Sequence, residues 1–285
     1  MIEIKKLGCT IDGSVVLDGI QLNIERGSFT AVLGRNGSGK STLARHFNAL
    51  RVPSCGEVLV DGMNTADETL VYDVRERVGM VFQNPDSQAV ASIVEDDTAF
   101  APENLGLDEE EIERRVESAL DAVGISHLRN RSVSSLSGGQ KQLAAIAGIV
   151  AMRSRYMVFD ESSSMLDPAA RKKVLECVLK LKRELGTAVI WITHNMEEAA
   201  VADRVIILDG GKITADGTPQ EIFSDFELVE RSGLDMTPSA KLCMRLMREG
   251  YPIEKIALTP GECAENIKKM IVAARGRRNG EQCLN

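Results

Sequence analysis

One stretch constrains this chain more than any other: Gly34-Arg35-Asn36-Gly37-Ser38-Gly39-Lys40-Ser41-Thr42. It follows the apolar run Phe29–Leu33 and leads into Lys40–Leu50, where Leu43, Phe47 and Leu50 share one helical face. Strand, glycine loop and helix together form the context in which G-x-x-x-x-G-K-[ST] becomes a phosphate site. Glycines let successive backbone N–H groups turn inward around an anion, and the helix N-terminus adds its dipole. Lys40 is placed to reach terminal phosphates, and Ser41 to offer a hydroxyl to Mg²⁺. A nucleoside triphosphate is the expected ligand.

At 285 residues the chain can bury a full core, as one large domain or one with a small appendage. A net charge of −8 argues against nucleic acid as the main partner. The six cysteines (Cys9, Cys55, Cys177, Cys243, Cys263 and Cys283) are scattered without a C-x-x-C pair, so reduced thiols are expected. No charged-then-apolar leader opens the chain, and secretion is not expected. The longest apolar run, Leu143–Met152, is far shorter than the ~20 residues of a spanning helix. Any membrane contact is therefore expected to run through a partner.

Apolar residues around the Asp12-Gly13 and Asp18-Gly19 turns predict antiparallel strands at the start, with further strands at Glu57–Val60 and Val78–Phe82. From about 84 to 107 the pattern loosens, and Glu95, Asp96, Asp97, Pro85 and Pro102 suggest a loop-rich acidic surface. Asp108 with Glu111 predicts a capped helix closed by Gly124, and another helix is expected from Gly138 to about Arg153. Tyr156–Phe159, Val189–Thr193 and Arg204–Leu208 read as buried strands, alternating with a helix from Asp167-Pro168 to Gly186. This alternation predicts an α/β core with parallel pairing. After about 228, Thr237-Pro238 and Thr259-Pro260 open two short helices.

Several residues beyond the loop carry candidate chemistry. Asp160 ends an apolar strand, where a carboxylate can hold Mg²⁺, and Glu161 is placed to polarise a water. His194 closes another central strand, at the end where ligands gather in such sheets. Gln83 holds a similar position, where its amide could touch Mg²⁺ or the attacking water, although a surface glutamine is the ordinary reading. His46 and His127 take a structural reading. Ser137-Gly138-Gly139-Gln140 opens a helix as a second anion-binding terminus, with a plain N-capped helix as the alternative.

Taken together, Gly34–Thr42, Gln83, Leu136–Gln140, Met157–Glu161, Ser164–Asp167 and His194 resemble the ATP-binding cassette (ABC) ATPases in order and spacing, over about residues 1–225. The resemblance implies a P-loop NTPase with a RecA-like parallel core, an N-terminal antiparallel β subdomain and a helical signature subdomain at about 84–153. These make one nucleotide-binding domain over 1–227, followed by a helical docking or dimerisation extension over 228–274 and a disordered tail over 275–285. It further implies ATP and Mg²⁺ as cofactors. Gly34, Asn36, Gly37, Ser38, Gly39, Lys40, Ser41 and Thr42 would hold the phosphates, and Ser41, Gln83 and Asp160 the metal. Glu161 would be the catalytic base, His194 the switch histidine and Asp167 the D-loop aspartate. Ser137, Gly138, Gly139 and Gln140 would serve the ATP of a second subunit, because family members work as head-to-tail pairs.

A closer resemblance, carried by Val81–Gln88, Val94–Asp97, Ala101–Asn104 and Gly217-Thr218-Pro219, is to the ATPases of energy-coupling factor (ECF) transporters. The Asn84-Pro85-Asp86 form looks more like the first of their two paralogous ATPases. That implies a peripheral protein on the cytoplasmic face of the cell membrane, paired with a second ATPase, a transmembrane coupling protein and a small substrate-binding membrane protein. The cargo would be a vitamin or a transition-metal ion; an importer fed by a soluble binding protein, or a non-transport ABC ATPase, are the alternatives. The sequence departs from the family at Ile11, where an aromatic usually stacks on adenine, and at Leu143 and Ser154, where arginine and proline are common. Stacking contributes roughly 1–3 kcal/mol per base, so Ile11 implies weaker grip on the ring.

Overall fold

Four strands, Phe29–Leu33, Val78–Val81, Tyr156–Asp160 and Ala188–Ile192, are buried along their whole length, the mark of a parallel sheet covered on both faces. The computed structural model describes residues 1–253 and 255–281. The chain opens with the antiparallel strands β1 (Ile2–Ile11) and β2 (Ser14–Ile24), then β3 (Phe29–Leu33), the phosphate loop and α1 (Lys40–Phe47). It continues through β4 (Cys55–Val60), β5 (Met63–Asn64), α2 (Val71–Arg77) and β6 (Val78–Val81). A helical layer follows, α3 (Val94–Asn104), α4 (Glu109–Val123) and α5 (Gly138–Met152). The core closes with β7 (Tyr156–Asp160), α6 (Pro168–Leu185), β8 (Ala188–Ile192), α7 (Met196–Ala199), β9 (Arg204–Asp209) and β10 (Lys212–Gly217). Four more helices end the chain: α8 (Pro219–Ser224), α9 (Phe226–Arg231), α10 (Pro238–Arg248) and α11 (Pro260–Glu281).

The strands form a four-stranded sheet, β2-β1-β4-β5, and a six-stranded one, β10-β9-β3-β8-β7-β6. Pairing from β9 to β6 is parallel, and only β10 runs antiparallel to its neighbour. Strand alternation divides the core. Phe29, Ala31, Leu33, Phe159 and Trp191 face the helical layer, while Val32, Val158, Ile190 and Ile192 face α1 and the antiparallel sheet. Trp191 lies between Phe29 and Phe159, with ring centroids 6.1 and 4.7 Å away.

The acidic stretch expected as loop is largely helix. Glu95, Asp96 and Asp97 occupy the first turn of α3, where carboxylates meet the positive end of the helix dipole. Asp97 also accepts the N–H groups of Val90 (2.7 Å) and Ala91 (3.1 Å), folding the preceding loop back onto the helix. Pro102 sits in the last turn, where its missing N–H breaks little of the ladder. The expected disordered tail also differs: α11 continues through residues 275–281, because no proline or cap interrupts Ala273-Ala274-Arg275. The rest of that expectation, 282–285, lies outside the described residues, as does Cys283. The segment from α10 onward packs its buried Ala240, Cys243, Ile256, Ala257 and Cys263 into the helical-side core.

His46, on α1, is fully buried. Its Nδ1 donates to the Arg51 carbonyl at 2.8 Å, and Nε2 has no partner to share a second proton. Burial pushes its pKa down to about 4. A folded-state pKa below the unfolded value of about 6.5 contributes stability above that pH, lost as pH falls toward the folded pKa. Urea titrations from pH 7.5 to 4.5 are expected to show wild type losing up to about 1.4 kcal/mol per pH unit more than His46→Phe.

Candidate functional site

Because β8 pairs in register with both β3 and β7, the carboxyl ends of three strands converge on one edge. The phosphate loop leaves β3 there, Asp160 ends β7, and Thr193-His194 follows β8. Strand β6 pairs with β7 through Val81 and Phe159, bringing Gln83 to the same edge. In the loop, a Cβ on Gly34 would lie 2.2 Å from the Leu208 carbonyl, and one on Gly39 3.0 Å from the Val16 carbonyl. Only glycine lets the backbone lie this close to β9 and β2. Gly37, with Asn36 at the exposed tip, has a φ of 81°, and Thr42 is half-buried on α1.

Lys40 is buried, and its Nζ donates to the carbonyls of Gly34 (2.8 Å) and Arg35 (2.9 Å), 3.5 Å from Glu161 Oε1. The ammonium thus lies across the loop between the anion cup and Glu161. Ser38 Oγ is buried within the loop without a hydrogen-bond partner. An orphaned hydroxyl, the N-terminus of α1 and a buried ammonium fit the phosphates of a nucleotide. Arg35 turns away, donating to the carbonyls of Ser232 (3.3 Å) and Arg231 (3.4 Å) at the end of α9. It ties the C-terminal segment to the loop.

Ser41 Oγ donates to Asp160 Oδ1 at 2.7 Å. Asp160 is buried, and desolvation raises its pKa, with the neighbouring Glu161 charge adding to the effect. A hydroxyl and a carboxylate are hard oxygen donors suited to Mg²⁺. Among the described residues no cluster of three His, Cys, Asp or Glu can hold a metal alone. A cation here would need the nucleotide's phosphates to complete its shell. Glu161 has a φ of 50°, uncommon outside glycine and concentrated at functional sites, and its N–H is fixed to the Ile192 carbonyl (3.1 Å). Gln83 Nε2 donates to Ser164 Oγ (3.3 Å), which donates to the Glu161 carbonyl (2.7 Å). His194 is exposed at the end of β8. The edge can therefore hold an anion, seat a cation and present a carboxylate to a water.

The Ser137–Gln140 helix start lies elsewhere. Ser137 caps α5 in a complete capping box with Gln140, with bonds of 3.4 and 3.0 Å, which engages the Gln140 side chain. Gly139 lets α5 approach α6, since a Cβ there would lie 2.9 Å from that of Ala170, while Gly138 remains exposed. Asp167 caps α6 through the N–H groups of Ala169 (3.0 Å) and Ala170 (2.9 Å). Ser137, Gly139, Gln140 and Asp167 share a cleft of about 570 Å³ that no phosphate-loop residue lines. The structure thus gathers Lys40, Ser41, Gln83, Asp160, Glu161 and His194 at one edge and leaves Ser137–Gln140 with Asp167 as a separate group.

Sequence reasoning missed Glu198. This carboxylate is 2% exposed and accepts from Ser163 Oγ (2.6 Å), Trp191 Nε1 (2.9 Å) and Thr193 Oγ1 (2.5 Å), with Arg171 at 3.7 Å. It joins the loop after Glu161 to the strand end before His194. In the sequence it is one of two adjacent glutamates on α7, and nothing there separates it from the exposed Glu197.

A phosphate loop between β3 and α1, with a carboxylate pair on a parallel strand two places away, defines a P-loop NTPase. The ABC transporter family model matches residues 17–164. The energy-coupling factor transporter ATP-binding protein EcfA1 of Symbiobacterium thermophilum is 52% identical over 251 residues, 88% of each chain. Among solved structures, cbiO1 from Clostridium perfringens, described as part of the ABC transporter complex cbiONQ, matches with a TM-score of 0.75. It is 35% identical, over 87% of this chain and 96% of that one. The dimeric post-hydrolysis cassette MJ0796, bound to ADP and Pi, matches with a TM-score of 0.68 and 26% identity, over 77% and 99%. The chain belongs to the ABC transporter family. It is an ATP hydrolase of the transport class.

Glu198→Ala strands three donors and Arg171 beside a void and is expected to cost about 3–5 kcal/mol of stability by urea unfolding. Glu198→Gln keeps the shape and is expected to cost less. At a temperature where it is folded, Glu198→Gln should lower kcat for ATP about tenfold while KM stays within about twofold, the split of a residue that positions others.

Proposed function

We propose that this chain is an ATPase subunit of an ECF-type importer, and that it corresponds to the first of the paired ATPases. The observation that carries the reading is the division of the nucleotide machinery into two groups within one chain. Lys40, Ser41, Asp160 and Glu161 form one half-site, and the capped Ser137 helix lines a separate cleft that no phosphate-loop residue lines. A head-to-tail pair closes each phosphate loop with the other subunit's Ser137–Gln140. The naming of the 52%-identical relative as EcfA1 and the dimeric state of MJ0796 support it.

In this reading the loop N–H groups and Lys40 bind the β- and γ-phosphates of ATP. Ser41 and Asp160, with Gln83 nearby, would hold Mg²⁺, which would supply charge neutralisation of the phosphates. Glu161 orients a water in line with the γ-phosphorus and takes its proton as the new P–O bond forms and the bond to the β–γ bridging oxygen breaks. His194, exposed at the adjacent strand end, contacts the γ-phosphate. Ile11 is half-buried near the antiparallel sheet and offers only an aliphatic surface to the adenine.

Transmission to a membrane partner runs through the groove beside Gln83. This groove, about 350 Å³, is lined by Leu50, Phe82, Val90, Phe100 and Met152 among others. Phe100 and Val90 are 47% and 57% exposed. The acidic surface is smaller than its composition suggests. Glu95 pairs with Arg129 and Asp97 caps the preceding loop, leaving Asp96 and Glu103 exposed. We assign the groove to a short helix of the transmembrane coupling protein, apolar on one side. No helix among the described residues is long and apolar enough to cross a membrane, in keeping with a peripheral place on the cytoplasmic face. Leu242, Met247 and Tyr251, exposed around α10, give the C-terminal segment an apolar surface for the paired ATPase. The cargo class, a vitamin or a transition-metal ion, follows the ECF reading.

Two measurements test this. Glu161→Gln should retain ATP binding and lose turnover by roughly 10²–10⁴-fold, the usual size of a lost general base; turnover within a few-fold of wild type removes Glu161 from the role. Purified from detergent-solubilised membranes, the tagged chain should carry a second ATPase and small integral membrane proteins. Phe100→Asp should abolish the membrane partners while the ATPase pair persists. Exclusively soluble partners would exclude the importer reading.

A further inference from the structure

A cavity of about 510 Å³ opens at the end of the central sheet opposite the phosphate loop. Its walls come from the starts of β7 and β8, the end of α5, the middle of α4 and the turn before β3. Four arginines line it, Arg26, Arg115, Arg153 and Arg155, facing an apolar side that includes Met157 and Leu185.

The charge around it is unbalanced. Asp61 is shared by the Met1 ammonium (2.8 Å), Arg26 (2.9 Å) and Arg155 (2.9 Å), and it also accepts from the Tyr156 hydroxyl (2.7 Å). Glu111 is shared by Arg114, Arg115 (2.7 Å) and Arg153 (3.4 Å). Each carboxylate therefore faces three cations, and among the described residues no other carboxylate pairs with the four arginines on the wall. This surplus sits in a chain whose net charge is −8. Guanidinium groups in excess of their carboxylates, converging on one concave space, match an anion with several oxygens. The volume lies within the range of about 300–1,000 Å³ common for small-molecule sites, and the apolar wall suits a ring or short chain.

We propose that this cavity is a second ligand site, separate from the ATP site, which takes a small organic phosphate monoester with an apolar body. The phosphate lies among Arg26, Arg115, Arg153 and Arg155, and the body lies against Met157 and Leu185. The site stands at the opposite end of β7 from Asp160 and Glu161, so ATP in the phosphate loop does not compete for it.

Phenyl phosphate is the probe, titrated calorimetrically into the full chain with a non-hydrolysable ATP analogue and Mg²⁺ saturating the phosphate loop. Saturable one-to-one binding is expected, with phenol giving none. Arg153→Asn, chosen because Arg153 has a left-handed backbone that asparagine tolerates, should weaken binding at least about tenfold. Arg26→Gln, at a 60% exposed side chain, should weaken it likewise, and Lys180→Gln, on α6 outside the cavity lining, should leave it unchanged. Melting temperatures separate lost binding from lost folding. No saturable heat up to about 10 mM, equal affinity in Arg153→Asn and Lys180→Gln, or displacement by the ATP analogue would each overturn the proposal.

Discussion

Parallel pairing of β8 between β3 and β7 is the constraint on which the nucleotide end of this molecule depends. It aligns the ends of three strands from distant parts of the chain, so that the phosphate loop, Asp160-Glu161 and Thr193-His194 emerge side by side. The pairing is held by residues that do no chemistry. Trp191 packs between Phe29 and Phe159 on one face, and Val32, Val158, Ile190 and Ile192 close the other. With the backbone fixed by these cores, short polar contacts suffice to finish the site. Ser41 reaches Asp160, Lys40 lies beside Glu161, and Glu198 braces the loop behind them.

The same rigidity leaves the Ser137–Gln140 helix start apart. The Ser137 helix is positioned by packing against α3, α4 and α6, with Gly139 meeting Ala170 and the Asp167 cap next to it. In the proposed reading a second copy or a paralogue supplies the missing half of each site, so that nucleotide binding becomes an event at a subunit interface.

Much of this was legible along the sequence. The phosphate loop, the buried strands and the caps at Ser137, Asp167, Gly124 and Gly186 rest on local rules, and each local rule agrees with the fold. The acidic stretch after Gln83 misleads because α3 buries little beyond Val94, Thr98 and Ala99, so its helical period is nearly invisible. Its carboxylates act as first-turn charges and loop caps. The tail misleads in the same way, since a polar helix without a strong apolar face reads as disorder. Glu198 was illegible for another reason: Trp191 and Thr193 are near it in the chain, but Ser163, in the loop after β7, and Arg171, on α6, are not.

The sequence by itself determined that an anion is bound after β3, that a carboxylate pair ends a buried strand and that a second glycine helix exists. These follow from residue types at short spacing, where backbone geometry and side-chain chemistry are set by near neighbours. Only the tertiary structure decided which of them meet. It placed Asp160 on Ser41, sent Arg35 away from the phosphates to the carbonyls of α9, enclosed Glu198, and gathered four arginines around two carboxylates at the far end of the sheet. Those outcomes depend on strand order and register, which arise from long-range burial and cannot be read from any one segment.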